Sequence, residues 1–253
     1  VSTHDHLRFQ LDHALARDAV HTPLDIAAIQ RGLTDRGLNP LILRSNASAA
    51  ANAQDARKTY LRRPDLGRTL HPDSIAALNE IAATNSVIST GGPKGRSGET
   101  PVFQTTTKPH PTTLILLADG LSALALERHA LPLLDATLPL LNPKPYPLYP
   151  LLTNARVAIA DPIGQILGAH ITVLLIGERP GLSSPDSLGC YITWAPRPGR
   201  TDAERNCISN IRGHEGLSYA EAAHRIAHYI QEAHRLHTTG IALKDPATPT
   251  PLL

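Results

Sequence analysis

"ITVLLIGERPGLSSPDSLGCYITW", residues 171–194, decides the fold. Its first seven residues form an aliphatic, β-branched run, too short for a globular helix and without two-residue alternation, the mark of a strand buried on both faces. The run stops at Gly177-Glu178-Arg179-Pro180-Gly181, a charged turn with no room for a helix, and a second apolar run, "CYITWAP" (190–196), follows. Working outward, "LILLADG" (114–120) and "ARVAIAD" (155–161) are further short runs bounded by Gly, Asp and Pro. The helical patterns "LSALALERHALPLLDATLPLL" and "PIGQILGA" separate them. Buried strands alternating with helices predict an α/β domain with parallel crossovers.

The N-terminal third reads differently. In "HLRFQLDHALARDAV" the apolar Leu7, Leu11, Ala14, Leu15 and Ala19 recur at spacings of three and four, predicting a helix with one buried face. "TPLDIAAIQRGL" reads as a second helix with Thr22 as cap and Pro23 in the first turn, and "HPDSIAALNEIAA" as another with an acidic start. Residues 1–88 are therefore expected to be a helical region. Residues 89–113, rich in Gly, Pro and Thr without apolar period, are expected to be an inserted flexible loop. "GGPKGRSGET" within it does not satisfy the phosphate-loop pattern. Residues 114–253 carry the sheet. Two capping boxes lie there: Thr201-Asp202-Ala203-Glu204 is expected to open a helix over "AERNCISNI", and Ser218 to Glu221 one over "AEAAHRIAHYIQEAHRL", closed by Gly240.

Composition excludes several classes. A net charge of +2 is too small to argue for nucleic acid or an anionic membrane, and 4% aromatic residues supply few stacking platforms for single strands. Two cysteines, Cys190 and Cys207, make no disulfide framework, so a reducing cytoplasm is expected. No apolar run approaches the roughly 20 residues that cross a bilayer. Methionine is absent, even at position 1, so the chain is expected to be processed, begun at an alternative start or truncated.

Parallel sheets present ligand-binding loops at the carboxyl ends of their strands. Asp119-Gly120, Asp161 and Glu178-Arg179 fall at such ends; from the residues alone they either meet a ligand or serve as caps and mutual ion pairs. No GxGxxG opens the sheet, which disfavours a dinucleotide. His224 and His228 lie four apart, but HExxH is missing and no third ligand follows, so no metal site is expected. Spacing gives Cys207 no catalytic base, and burial is the usual fate of a free cysteine.

The stretches "YLRRPDLGRTL" (60–70), "LLADGLSALAL" (116–126), "ILGAHITVLLIGERPGLSSPDSLGCYITWAPRPGRTDAERNCISNIR" (166–212) and "GLSYAEAAHRIAHYI" (216–230) closely resemble the small (light) chains of ethanolamine ammonia-lyases, in the same order over most of the chain. The resemblance implies a Rossmann-like, mainly parallel sheet domain behind the N-terminal helical segment. It implies the non-catalysing subunit of an adenosylcobalamin-dependent lyase that converts ethanolamine to acetaldehyde and ammonia. A large TIM-barrel chain would hold the substrate, in a hetero-oligomer of six large and six small chains, often in a bacterial microcompartment, with no nucleic acid or membrane involved. The family's base-on cobalamin agrees with the missing DxHxxG. Carried onto this sequence, the cobalamin contacts fall on Val157, expected at the start of a strand, on Glu178 at a strand's carboxyl end, and on Cys207 in the Thr201-capped helix. The "RPDLGR" loop and "DGLSA" turn are expected to support the site or its interface. Departures from the family pattern are the longer 89–113 stretch, a shorter start and Ala160, where an acidic residue is common. They leave an alternative, an α/β binding or scaffolding module that has lost cobalamin.

Overall fold

The computed structural model describes residues 2–50, 52–90, 112–213 and 215–243, with the backbone alone for 85–90. Helix α1 (Thr3–His21) opens on a Ser2–Asp5 capping box. Its apolar face is not the buried one expected: Leu7, Leu11 and Leu15 are 60%, 58% and 48% exposed, Ala14 is half-buried, and only Ala19 is buried. Helical spacing determines which residues share a face, but neighbouring elements determine whether that face is covered. Helix α2 (Ile26–Thr34) begins after Asp25, whose carboxylate accepts from Ala28 N, so the cap is Asp25 and not Thr22. Strand β1 (Asn39–Arg44) then lies inside the stretch expected to be helical, followed by α3 (Ala53–Arg62) and α4 (Pro72–Thr90). Most of the 89–113 segment, residues 91–111, lies outside the described residues.

The rest runs β2 (Thr113–Ala118), α5 (Ala123–Thr137), β3 (Leu148–Thr153), α6 (Ala160–Ile166), β4 (Ile171–Gly177), β5 (Leu188–Trp194), β6 (Arg205–Ile211) and α7 (Tyr219–Leu236). The strands form one sheet in the order β1-β3-β2-β4-β5-β6. β1, β3, β2 and β4 pair in parallel, while β4–β5 and β5–β6 are antiparallel, so the sheet is mixed and the class is α/β. The antiparallel half follows from its connections. Residues 178–187 and 195–204 carry no crossover helix, and a parallel return needs one.

Along the central strands, successive side chains face opposite layers. Ile115, Leu117, Val173 and Leu175 pack with α2, α5 and α7, whereas Leu114, Leu116, Leu174 and Ile176 pack with α4 and α6. Every residue of β2 and β4 is buried, as two covered faces require. On β5 and β6 one face is covered throughout and the other only at one end, where Asp161 of α6 meets Arg205 beside buried Thr193. Cys190 and Ile192 pack under the α7 side, while Tyr191 is half-buried and Cys207 is exposed on the other.

Three local expectations are overturned. "RVAIA" is not a strand: Val157–Ile159 is a 3-10 turn that runs into α6. A short apolar run cannot by periodicity be told from a buried helical turn. "AERNCISNI" is not a helix: the Thr201–Glu204 box exists, but it caps a single 3-10 turn, after which the chain extends as β6. At the end of α7, His237 takes the left-handed position at φ 55°, so it and not Gly240 closes the helix. No helix among the described residues is long and apolar enough to cross a membrane.

Candidate functional site

From β2 the chain passes through α5 to β3 on one side, then crosses back through α6 to β4 on the other. That reversal opens a crevice beyond the carboxyl end of β2, where α/β sheets bind ligands. Asp119-Gly120, Asn154-Ala155-Arg156 and Glu178 come together there from three strand ends. Close approach of backbone requires glycine on both sides. A Cβ on Gly177 would lie 2.0 Å from Ser122 O, and one on Gly120 (φ 53°) 2.1 Å from Gly177 O.

The floor of the crevice is a buried polar network. Asp119 and Arg57 are 2% and 1% exposed. Arg57 Nη1 donates to Asp119 Oδ2 at 3.3 Å and to Gly120 O at 2.8 Å, and Arg57 Nε donates to Val20 O at 2.7 Å. Asp119 also accepts from Asn154 N and Ala155 N, at 2.9 and 3.2 Å. Burial pushes the Asp119 carboxyl above its ordinary value, opposed by the Arg57 guanidinium and these N–H groups. Tyr60 donates to Ala155 O at 2.9 Å and carries both guanidiniums on its ring, with Arg57 at 5.1 Å and Arg156 at 4.6 Å from the centroid. Burial, then the Asp119 charge, raise the Tyr60 phenol and keep it neutral.

Two adjoining hollows open above this floor. The larger, of about 820 Å3, lies over the Tyr191–Cys207 face of β5–β6, beside the Pro64–Arg68 loop and the Val157 turn, which a hydrogen bond from Arg156 N to Gly67 O joins. Arg156, Val157, Tyr191 and Cys207 line it, together with Arg200 and Arg205. The smaller, of about 410 Å3, lies at the strand ends among Tyr60, Gly120, Glu178 and Arg179. The two share Arg156, Val157 and Tyr191 as a common wall.

All three residues expected to contact cobalamin line this pair of hollows: Val157 both, Cys207 the larger and Glu178 the smaller. Val157 arrives there on a 3-10 turn and Cys207 on an edge strand. The "RPDLGR" loop gives Pro64 and Arg68 to the larger hollow, and the "DGLSA" turn gives Gly120 and Leu121 to the smaller. Glu178 is half-buried, and its Oε2 accepts from Asn210 N at 3.1 Å while no ion pair joins it to exposed Arg179. Asp119 and Asp161 are internal instead. Asp161, 1% exposed in α6, takes two bonds from Arg205, at 2.6 and 2.8 Å. Its place on a helix, facing β6, removes it from any strand end.

Sequence reasoning missed Tyr60, Arg156 and Tyr191. Tyr191 pairs across the sheet with Cys207, and burial followed by the neighbouring thiol raises its phenol. Arg156 stands immediately before Val157, a signal that adjacency alone could have supplied. On the far rim, Glu204 is pulled down to about 2 by Thr201 N–H and by Arg200, which holds Arg200 against the turn. Among the described residues, no three His, Cys, Asp or Glu side chains converge as metal ligands. His224 is exposed and His228 half-buried on α7.

The family model for the ethanolamine ammonia-lyase light chain (EutC) matches residues 1–91 and 92–244. The ethanolamine ammonia-lyase small subunit of Azotobacter vinelandii is 52% identical over 244 residues, covering 96% of this chain and 79% of that protein. Those of Pseudomonas aeruginosa PAO1 and Pseudomonas fluorescens SBW25 are 49% and 46% identical, covering 97% and 98% of this chain and 80% and 79% of theirs.

Proposed function

This chain belongs to the ethanolamine ammonia-lyase light-chain family, and on that premise we propose that it is the subunit that completes an adenosylcobalamin site against a large catalytic partner. The lyase so formed splits ethanolamine into acetaldehyde and ammonia. Its small chain is the Rossmann-like half of the cradle, the four parallel strands supplying the switch-point crevice. The observation that supports this reading is the convergence of Val157, Glu178 and Cys207 on adjoining hollows with a common wall. A six-plus-six assembly and a place in a bacterial microcompartment belong to the same proposal.

The residues present suit a corrinoid on physical grounds. One polar atom of the wall, Arg156 Nε, is buried without a partner, and a group from outside the chain would satisfy it. Glu178 is held by Asn210 N through one oxygen, which leaves the other to accept from a corrin side-chain amide or a ribose hydroxyl. The neutral Tyr191 phenol offers a donor, and Val157 and Cys207 form a small, soft surface for an apolar edge. When bound, the cofactor supplies cobalt–carbon homolysis; the protein supplies binding, orientation and exclusion of solvent. This chain's residues would hold the corrin at these hollows and, with the partner's wall, would keep water from it. The open face of β5–β6 is where that second wall belongs, because an antiparallel sheet tolerates an uncovered face that a partner then covers.

Reconstitution tests the proposal. The isolated chain releases no ammonia from ethanolamine, and mixing it with the large subunit restores coenzyme-dependent release. Full turnover by the large subunit alone would defeat it.

A further inference from the structure

Arg156 is the one half-buried guanidinium in this crevice without an ion-pair partner among the described residues; Arg179 of the smaller hollow has none either, but it is exposed. Arg57 has Asp119, Arg205 has Asp161, and Arg200 has Glu204. Among the described residues no carboxylate lies within ion-pair distance of Arg156, and the same holds for exposed Arg68, which also lines the larger hollow and whose neighbour Gly67 accepts from Arg156 N at 2.8 Å. The Arg156 guanidinium is pinned over the Tyr60 ring, itself anchored to Ala155 O, so its direction is set before any ligand arrives. Asp202 is the one acidic residue lining the larger hollow. Its carboxylate is 98% exposed and stands 3.8 Å from Arg205, so it neutralises neither Arg156 nor Arg68. Glu178 lies in the adjoining hollow, bonded to Asn210 N.

A pre-oriented, unpaired guanidinium with a buried, unsatisfied Nε is built for an oxyanion, and its planar fork suits a phosphate better than a point charge would. We propose that Arg156, with Arg68 as an outer partner, holds a phosphate ester. Resting on the cobalamin reading above, that ester is the phosphodiester of the cofactor's nucleotide tail, its one anionic linkage. Arg156 is then a binding residue that discriminates tailed from tail-less corrinoids.

The test compares hydroxocobalamin with cobinamide, which lacks the tail and its phosphodiester, by equilibrium dialysis against the complex with the large subunit. Arg156→Gln lowers cobalamin affinity by about tenfold to a hundredfold and leaves cobinamide affinity unchanged, the loss expected for a charge-assisted bond. Arg156→Lys recovers part of the difference, and Arg68→Gln, a surface change, lowers cobalamin alone by a smaller factor. Because the readout is the ratio of two ligands on one preparation, a misfolded fraction cancels. Equal losses for both corrinoids, or none for either, overturn the assignment while the cobalamin reading stands. A wild-type complex that retains neither corrinoid overturns the cobalamin reading itself, and this assignment with it.

Discussion

Replacing Asp119 by Ala removes the carboxylate at the centre of the crevice floor and leaves Arg57 charged, buried and bonded only to Val20 O and Gly120 O. Breaking a buried pair from one side costs about 3–5 kcal/mol, because the remaining charge has no counter-ion. The N–H groups of Asn154 and Ala155 also lose their acceptor, at about 1–3 kcal/mol if water cannot reach them. These costs overlap, since one water entering the vacated space serves several donors, so about 4 kcal/mol is the working figure. For a chain of this size about 1 kcal/mol shifts the melting midpoint by about 2–4 °C, which gives a fall of roughly 8–16 °C. Asp119→Asn keeps an acceptor and the shape, and falls by about half as much. Adding Arg57→Met to Asp119→Asn removes the stranded charge and so raises stability above Asp119→Asn alone. Circular dichroism melts of the four proteins check this. A midpoint for Asp119→Ala within about 3 °C of wild type, or a double variant that melts below Asp119→Asn, refutes the charge-stranding argument.

Other consequences are independent of it. Glu178→Gln keeps an acceptor for Asn210 N, so it leaves the melting midpoint unchanged but weakens coenzyme binding to the complex by about 1–3 kcal/mol; unchanged affinity in dialysis returns Glu178 to a structural role. Gly177→Ala places a Cβ 2.0 Å from Ser122 O and 2.5 Å from Asp119 O, both backbone atoms that cannot rotate away, and destabilises by about 3 kcal/mol or more in a denaturant titration. His129 and His234 are held below the ordinary 6.5, chiefly by burial. A depressed pKa means that the unfolded chain takes up protons first, so their stabilisation is complete above 6.5 and is lost as pH falls below it. Melts at about pH 7.5 and about pH 5.5 therefore differ by a few degrees in the wild type, and less when both residues are Gln; an undiminished difference contradicts the assignment.

The aliphatic strands were legible, because a continuous apolar run between turn residues is too short for a helix and too apolar for an exposed loop. β2, β4 and β5 stand where 114–118, 171–177 and 190–194 predict them. β3 was hidden by its proline. Pro150 sits in mid-strand, tolerated because the β2–β3 ladder begins only at Leu151. β1 escaped notice as a short edge strand with Pro40 at its second position. β6 was masked by a genuine capping box, whose hydrogen bonds commit the chain to one turn but not to a second. Glu178 was legible as a strand-end carboxylate. Arg156 was legible only as the neighbour of Val157; Tyr60 and Tyr191 were not, because their roles depend on stacking and cross-strand pairing between segments distant in sequence, which no local pattern encodes.

The most direct measurement is a density map of this chain assembled with its large subunit in the presence of adenosylcobalamin. Corrin density is expected against Val157, Glu178 and Cys207, beside the Tyr191–Cys207 face of β5–β6. Corrin density elsewhere, with this crevice filled by side chains of the partner, would contradict that placement.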